Sequence, residues 1–278
     1  MKSVETKRYW TIEEYKEFED IFSAFGEMML FAMAHFPATT KSIIIRNFIA
    51  RSLVMLRGVF QLWDIEDYHD CWILYRCMLD RLFHLNELSV NEKFAAFDDW
   101  SFVQQYKMRH KIRSDSDFNR RLRSEFWIDT PEEKIRIEEL NRNKPQWKSP
   151  SAEDVASRMK MKPLYDYGYN YASSLVHPRA NEGSRDFVIL TKLGDESEFA
   201  DERTILNNSC LIAQCILREG MNASGLIWQD FVTDMLNDFL VFLETGAKDY
   251  KTSFARITSE GPEIISMLCV ESEETAKP

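Results

Sequence analysis

Residues 11–37 read TIEEYKEFEDIFSAFGEMMLFAMAHFP, and this stretch decides the fold class. Thr11 followed by Glu14 is a capping box, in which each side chain satisfies a backbone N–H that a helix start leaves without a partner. Ile12, Tyr15, Phe18, Phe22, Phe25 and Met29 then recur every three or four residues, the period of one helix face, until Pro37 stops the pattern. The same reading extends outward along the chain. It predicts a helix from about Thr40 to Trp63 with Ile44, Phe48, Leu56 and Phe60 inward, and a third from about Glu66 to Leu88 with Tyr68, Trp72, Tyr75, Leu79 and Leu82 on one face. A fourth begins at Asn91. Thr130, Pro131 and Glu133 supply cap, first-turn proline and reciprocal glutamate for a helix through Leu140, and Ser151 with Asp154 caps a short one up to Lys160. Further helices are expected over about 201–218 and 223–244, the last closed by Gly246.

The expected class is therefore all-α, an irregular multi-helix bundle. It admits one small β-hairpin near 185–195, where Phe187–Leu190 make a short apolar run between turn-forming residues. Residues 1–246 read as a single helical domain and 247–278 as a C-terminal extension, whose closing ESEETAKP reads as disordered.

Composition narrows the function classes. With 278 residues and 45% hydrophobic content the chain can bury a large core, and nine glycines and eight prolines are few for that length. A net charge of −10 opposes general binding to polyanions or anionic lipid. Five cysteines, at 71, 77, 210, 215 and 269, form no C-x-x-C pair and read as reduced packing residues, with zinc sites excluded. The arginines within 40–63 rule out a membrane span there, and the N-terminal residues lack an apolar leader core, so a cytoplasmic protein is expected. No phosphate-binding glycine loop, nucleophile elbow, H-E-x-x-H or dinucleotide motif occurs, and the histidines at 35, 69, 84, 110 and 177 lack ligand spacing, so neither metal nor cofactor is expected.

Three features carry chemistry. Residues 163–179, PLYDYGYNYASSLVHPR, place Asp166, Asn170, Ser173 and His177 at helical spacings, one polar stripe on an otherwise apolar helix. His177 is the acid–base candidate, with Tyr169 and Ser174 to orient it, although a histidine in the last turn of a helix also suits the carbonyl end of the dipole as a simple cap. Arg76 and Asp80 lie one turn apart on the third helix, a surface ion pair if exposed and a site if buried. The third feature is a basic window, in which Lys107, Arg109, Lys111, Arg113, Arg120, Arg121 and Arg123 could contact RNA phosphates while Tyr106, Phe118 and Trp127 offer stacking faces.

The run ARSLVMLRGVFQLWDIEDYHDCWILYRCMLDRLFHLNEL, followed by YNYASSLVHP, resembles an uncharacterised bacterial all-helical family of unknown function with an Arg-x-x-x-Glu helix and a Tyr-rich Ser-x-x-His helix. The resemblance covers roughly residues 40–180. Asp80 stands where the family has glutamate, and Ser174 and His177 fit the second element. The chain is also similar, more loosely, to HEPN domains, helical nucleases of toxin and phage-defence systems. That likeness implies a homodimer cleaving RNA without metal, with Arg76 stabilising phosphate charge and His177 moving the proton. The competing reading is a non-enzymatic helical interaction or scaffold subunit, a homo-oligomer or one part of a complex, whose polar stripe is a structural network.

Overall fold

The computed structural model describes residues 10–116, 128–176, 183–193, 203–259 and 268–271. It is all-α: α1 (Ile12–Ala34), α2 (Thr40–Asp64), α3 (Tyr68–Asn91), α4 (Phe94–Ser114), α5 (Pro131–Arg142), α6 (Ala152–Arg158), a π-helical segment (Leu164–Tyr169), α7 (Asn170–Leu175), α8 (Ser184–Thr191), α9 (Arg203–Ala223), α10 (Asp230–Thr245) and α11 (Asp249–Ser259). The capping boxes at Thr11 with Glu14 and Thr130 with Glu133 form in full. Among the described residues no helix is long and apolar enough to cross a membrane.

The chain gathers into two compact units, residues 1–86 with 151–278, and residues 87–150. In the larger unit α2 lies against α1 and α9, and α10 against α9 and α11. Gly220 on α9 permits the closest of these approaches, since a Cβ there would come within 2.7 Å of Ile49 Cδ1. The centre of this unit is aromatic. Phe18, Phe22 and Phe25 of α1 meet Phe239 and Phe242 of α10 and Tyr250 of α11, all fully buried. Residues 249–259, placed in an extension by the sequence reading, thus contribute a core helix whose Lys251 also pairs with Glu17 of α1, beside the Lys248–Glu14 pair just before the helix. The Phe-rich α10 spends its apolar face inside this core, on Val232, Met235, Leu236, Phe239, Phe242 and Leu243.

The hairpin expected near 185–195 is a helix instead. α8 is bracketed by two left-handed residues, Gly183 (φ 79°) as its N-cap and Lys192 (φ 56°) as its C-cap. Among the described residues the strand pairing lies elsewhere: β1 (Leu226–Trp228) runs antiparallel to β2 (Cys269–Glu271), with Ile227 opposite Val270. The helix read as 223–244 accordingly starts later, at Asp230. The terminal residues 272–278 lie outside the described residues.

Cys71, Cys77, Cys210 and Cys215 form no disulfide among the described residues. Cys210 is fully buried, and burial pushes its thiol well above the ordinary range.

Candidate functional site

Helix α3 carries Arg76 and Asp80 one turn apart, and the helical stretch 164–175 carries Tyr169 and Ser173 one turn apart. The two pairs face each other. Arg76 Nε donates to Ser173 Oγ at 2.8 Å and its Nη2 donates to the Tyr169 hydroxyl at 3.4 Å. The same hydroxyl donates to Asp80 Oδ1 at 3.0 Å, and the guanidinium lies 5.1 Å from the centre of the Tyr169 ring. The direct Arg76–Asp80 approach is long, 3.9 Å from Nη1 to Oδ2. That distance is too great for a hydrogen bond, so Tyr169 mediates between the two charges.

A π-helical turn sets this geometry. In Leu164–Tyr169 the backbone bonds reach one residue further than in an α-helix, which widens the turn and shifts the side chains that follow around the axis. Gly168 makes the contact with α3 possible, because a Cβ there would sit 2.4 Å from the hydroxyl oxygen of the buried Tyr75. The stripe read from ideal helical spacing therefore does not form as one row. Asp166 and Asn170 are exposed, and Asp166 pairs with Lys162 at 2.9 Å, whereas Tyr169 and Ser173 point to α3.

The electrostatics follow from partial burial. Burial, followed by the neighbouring Asp80 carboxylate, pushes the Tyr169 phenol above its ordinary value, with Arg76 opposing them. Tyr169 thus keeps its proton near neutral pH and acts as a donor. The Arg76 and Asp80 side chains are 29% and 35% exposed, enough for a ligand to reach them. Two of the Arg76 nitrogens are engaged by hydrogen bonds, while Nη1 has no hydrogen-bond partner among the described residues. A guanidinium held on one edge and open on the other is suited to an anion with several acceptor oxygens.

Of the sequence candidates, Arg76, Asp80 and Tyr169 come together. Ser174 does not join them: its hydroxyl donates to the Tyr171 carbonyl at 2.7 Å, because one further residue turns it about 100° around the helix from Ser173. His177 lies outside the described residues. Ser173 is the partner the site reading missed, although its spacing of four from Tyr169 was a usable signal. His69 was missed as well. It lies two turns before Arg76 on α3, and its Nε2 is 3.1 Å from the carbonyl of Leu175, near the end of α7.

In the smaller unit, the basic window divides. Arg109 pairs with Glu133 at 2.8 Å, and Arg113 grips Asp129 with both terminal nitrogens, at 3.2 and 3.3 Å. Lys107 and Lys111 remain exposed, while Arg120, Arg121, Arg123, Phe118 and Trp127 lie outside the described residues. Asp129 is buried, its side chain 4% exposed, and it also receives hydrogen bonds from His110 Nε2 at 3.0 Å and the Tyr106 hydroxyl at 3.3 Å. Burial pushes its carboxyl up, but the bonds from Arg113 and His110 more than offset this and hold it below the ordinary carboxylate range. A depressed carboxylate stabilises the fold above its unfolded-chain value and loses that contribution as pH falls through its folded value. Asp129→Asn is therefore expected to flatten the acid limb of a stability–pH profile measured by chemical denaturation below about pH 4, near the unfolded carboxylate value. An unchanged acid limb would exclude this role.

Among the described residues, no group of three or more His, Cys, Asp or Glu is arranged to hold a metal ion. The model of DUF5677, a family of unknown function, matches residues 42–192. The chain belongs to the DUF5677 family. No curated protein and no solved structure matches it. The DUF5677 region spans α2 to α8 and includes both the Arg76 cluster and the whole smaller unit. The likeness to a helical family of unknown function over roughly residues 40–180 is the one this match supports.

Proposed function

We propose that this DUF5677 protein is a metal-independent ribonuclease or toxin-like effector of a bacterial defence system, with its site at Arg76, Asp80, Tyr169 and Ser173. The observation that carries the reading is the partly exposed guanidinium of Arg76, fixed by Ser173 and Tyr169 on one side and with no hydrogen-bond partner at Nη1 among the described residues. Arg76 would hold a phosphate and stabilise the charge that develops on its oxygens as a ribose 2′-oxygen attacks phosphorus and the 5′-oxygen leaves. His177, one residue beyond the cap of α7, would take the 2′-hydroxyl proton or supply one to the leaving oxygen. Asp80 positions the Tyr169 hydroxyl, and Tyr169 orients Arg76.

The test is incubation of the purified protein with total cellular RNA in EDTA, beside Arg76→Ala and His177→Ala. Wild-type cleavage that falls by roughly a hundredfold or more in each variant is expected, the size general acid–base catalysis commands. Cleavage retained in both variants would refute the assignment. A second reading, a non-enzymatic interaction subunit, draws on the exposed Tyr167 (80%) and Leu190 (83%) in the segments flanking 177–182. It predicts no cleavage by any of the three proteins.

A further inference from the structure

The smaller unit holds a constellation of its own. Asp129 is the buried charged residue among those described, and three groups from one face of α4, Tyr106, His110 and Arg113, converge on it at spacings of four and three residues. α5 is already held to α4 by the Arg109–Glu133 pair and by Arg136, which bridges Asp98 and Asp99. The histidine adds something else. Its carboxylate partner can only accept, so Nε2 must carry the proton of their bond, which settles the tautomer of the neutral ring and leaves Nδ1 for another partner. Nδ1 has none among the described residues, and the side chain is 44% exposed.

The surroundings of that nitrogen are cationic. His110 and Lys111 follow Lys107 by three and four residues on the exposed side of α4, with Arg109 and Arg113 beside them. Four cations against the two carboxylates Asp129 and Glu133 leave this patch positive on a chain of net charge −10. A phosphate group offers several acceptor oxygens and up to two charges, which matches two ammonium groups beside the His110 ring within one turn of helix.

We propose that the outer face of α4 at Lys107, His110 and Lys111 binds a phosphate group, with Asp129 as the positioning residue that fixes the His110 ring. The phosphate belongs either to a small phosphorylated compound or to a nucleic-acid backbone. This site is independent of what the Arg76 cluster does.

The imidazole ¹⁵N resonances of the full chain provide the test, with His110 assigned from His110→Gln. In neutral wild type the His110 Nδ1 signal sits at the position of a bare nitrogen, and Asp129→Asn mixes the tautomers. At constant pH, increasing inorganic phosphate shifts the His110 signals in a saturable way. Lys107→Ala/Lys111→Ala weakens that response at least tenfold while its thermal melting is unchanged, since both lysines are exposed. A ten-nucleotide single-stranded RNA acting at lower concentration than phosphate identifies a nucleic-acid backbone as the ligand, and phosphate acting alone identifies a small phosphorylated compound. No His110 response to either probe, or an equal response in the double variant, overturns the proposal. The same titration in an Arg76→Ala background keeps its response, so failure of the nuclease reading is seen separately.

Discussion

Phe239→Ala is expected to lower the unfolding free energy by about 3–5 kcal/mol, the cost of deleting a fully packed aromatic side chain. Its ring lies at 5.2 Å from that of Phe18, 5.1 Å from Phe22, 5.7 Å from Phe25 and 5.7 Å from Tyr250, mostly edge to face. Those geometries add about 0.5–1.5 kcal/mol per pair beyond the apolar area they bury. The cavity left behind borders three helices, α1, α10 and α11, so no single side chain can collapse into it. Urea unfolding followed by circular dichroism measures the effect as a lower midpoint at unchanged slope. A loss under about 1 kcal/mol would show that the aromatic cluster is not the centre of the larger unit.

The second large effect is expected at Gly168. Two terms oppose each other there. Alanine is favoured over glycine within a helix by about 1 kcal/mol, but forcing a methyl into a filled core costs typically 1–3 kcal/mol and occasionally more. At Gly168 the new Cβ would lie 2.4 Å from the Tyr75 hydroxyl oxygen and 2.9–3.0 Å from two of its ring carbons, and Tyr75 is fully buried with nowhere to retreat. The clash wins, and Gly168→Ala is expected to destabilise by about 2 kcal/mol while moving Tyr169 away from Arg76 and Asp80. Tyr75→Phe gives an internal control. The Tyr75 hydroxyl is buried without a hydrogen-bond partner among the described residues, so its removal alone is expected to be neutral or stabilising. In the Gly168→Ala background Tyr75→Phe removes the closest contact and restores part of the loss. A double-mutant cycle showing strict additivity would mean that the two residues do not meet.

How much of this was readable beforehand differs by residue. The first helix was legible because Thr11, Glu14 and a six-residue apolar periodicity all agree, and it spans Ile12–Ala34 as that pattern requires. Arg76 and Asp80 were legible as a pair for the same reason. Tyr169 was singled out too, but as a residue orienting His177 and not as the bridge between Arg76 and Asp80. The π-helical turn changes the angular step between residues, and nothing in LYDYGY marks such a turn, so the spacing argument put Asp166 and Asn170 in one row with Ser173, while Ser174 was chosen on the family resemblance and turns away to the Tyr171 carbonyl. The strand at Leu226–Trp228 was too short to register against the helical signal around it, and its partner lies 43 positions on. The burial of Asp129 was invisible for a different reason. A lone aspartate ahead of a threonine cap reads as part of a loop, and only the packing of α5 on α4 turns it into the point where Tyr106, His110 and Arg113 meet.

The meeting of α1 with α11 has a consequence for how the chain is made. Glu17 and Lys251, which pair across that contact, are separated by 234 positions. At a synthesis rate of about 5–20 residues per second, α1 waits roughly ten to fifty seconds on the ribosome before the helix that covers it exists. Throughout that interval the Phe18, Phe22 and Phe25 face has α2 and later α9 for company but lacks Phe239, Phe242 and Tyr250. The nascent chain therefore presents an incomplete aromatic surface of the kind that chaperones bind. Premature termination before α10 would release a product unable to close its own core, so the cell receives either the finished larger unit or a target for degradation.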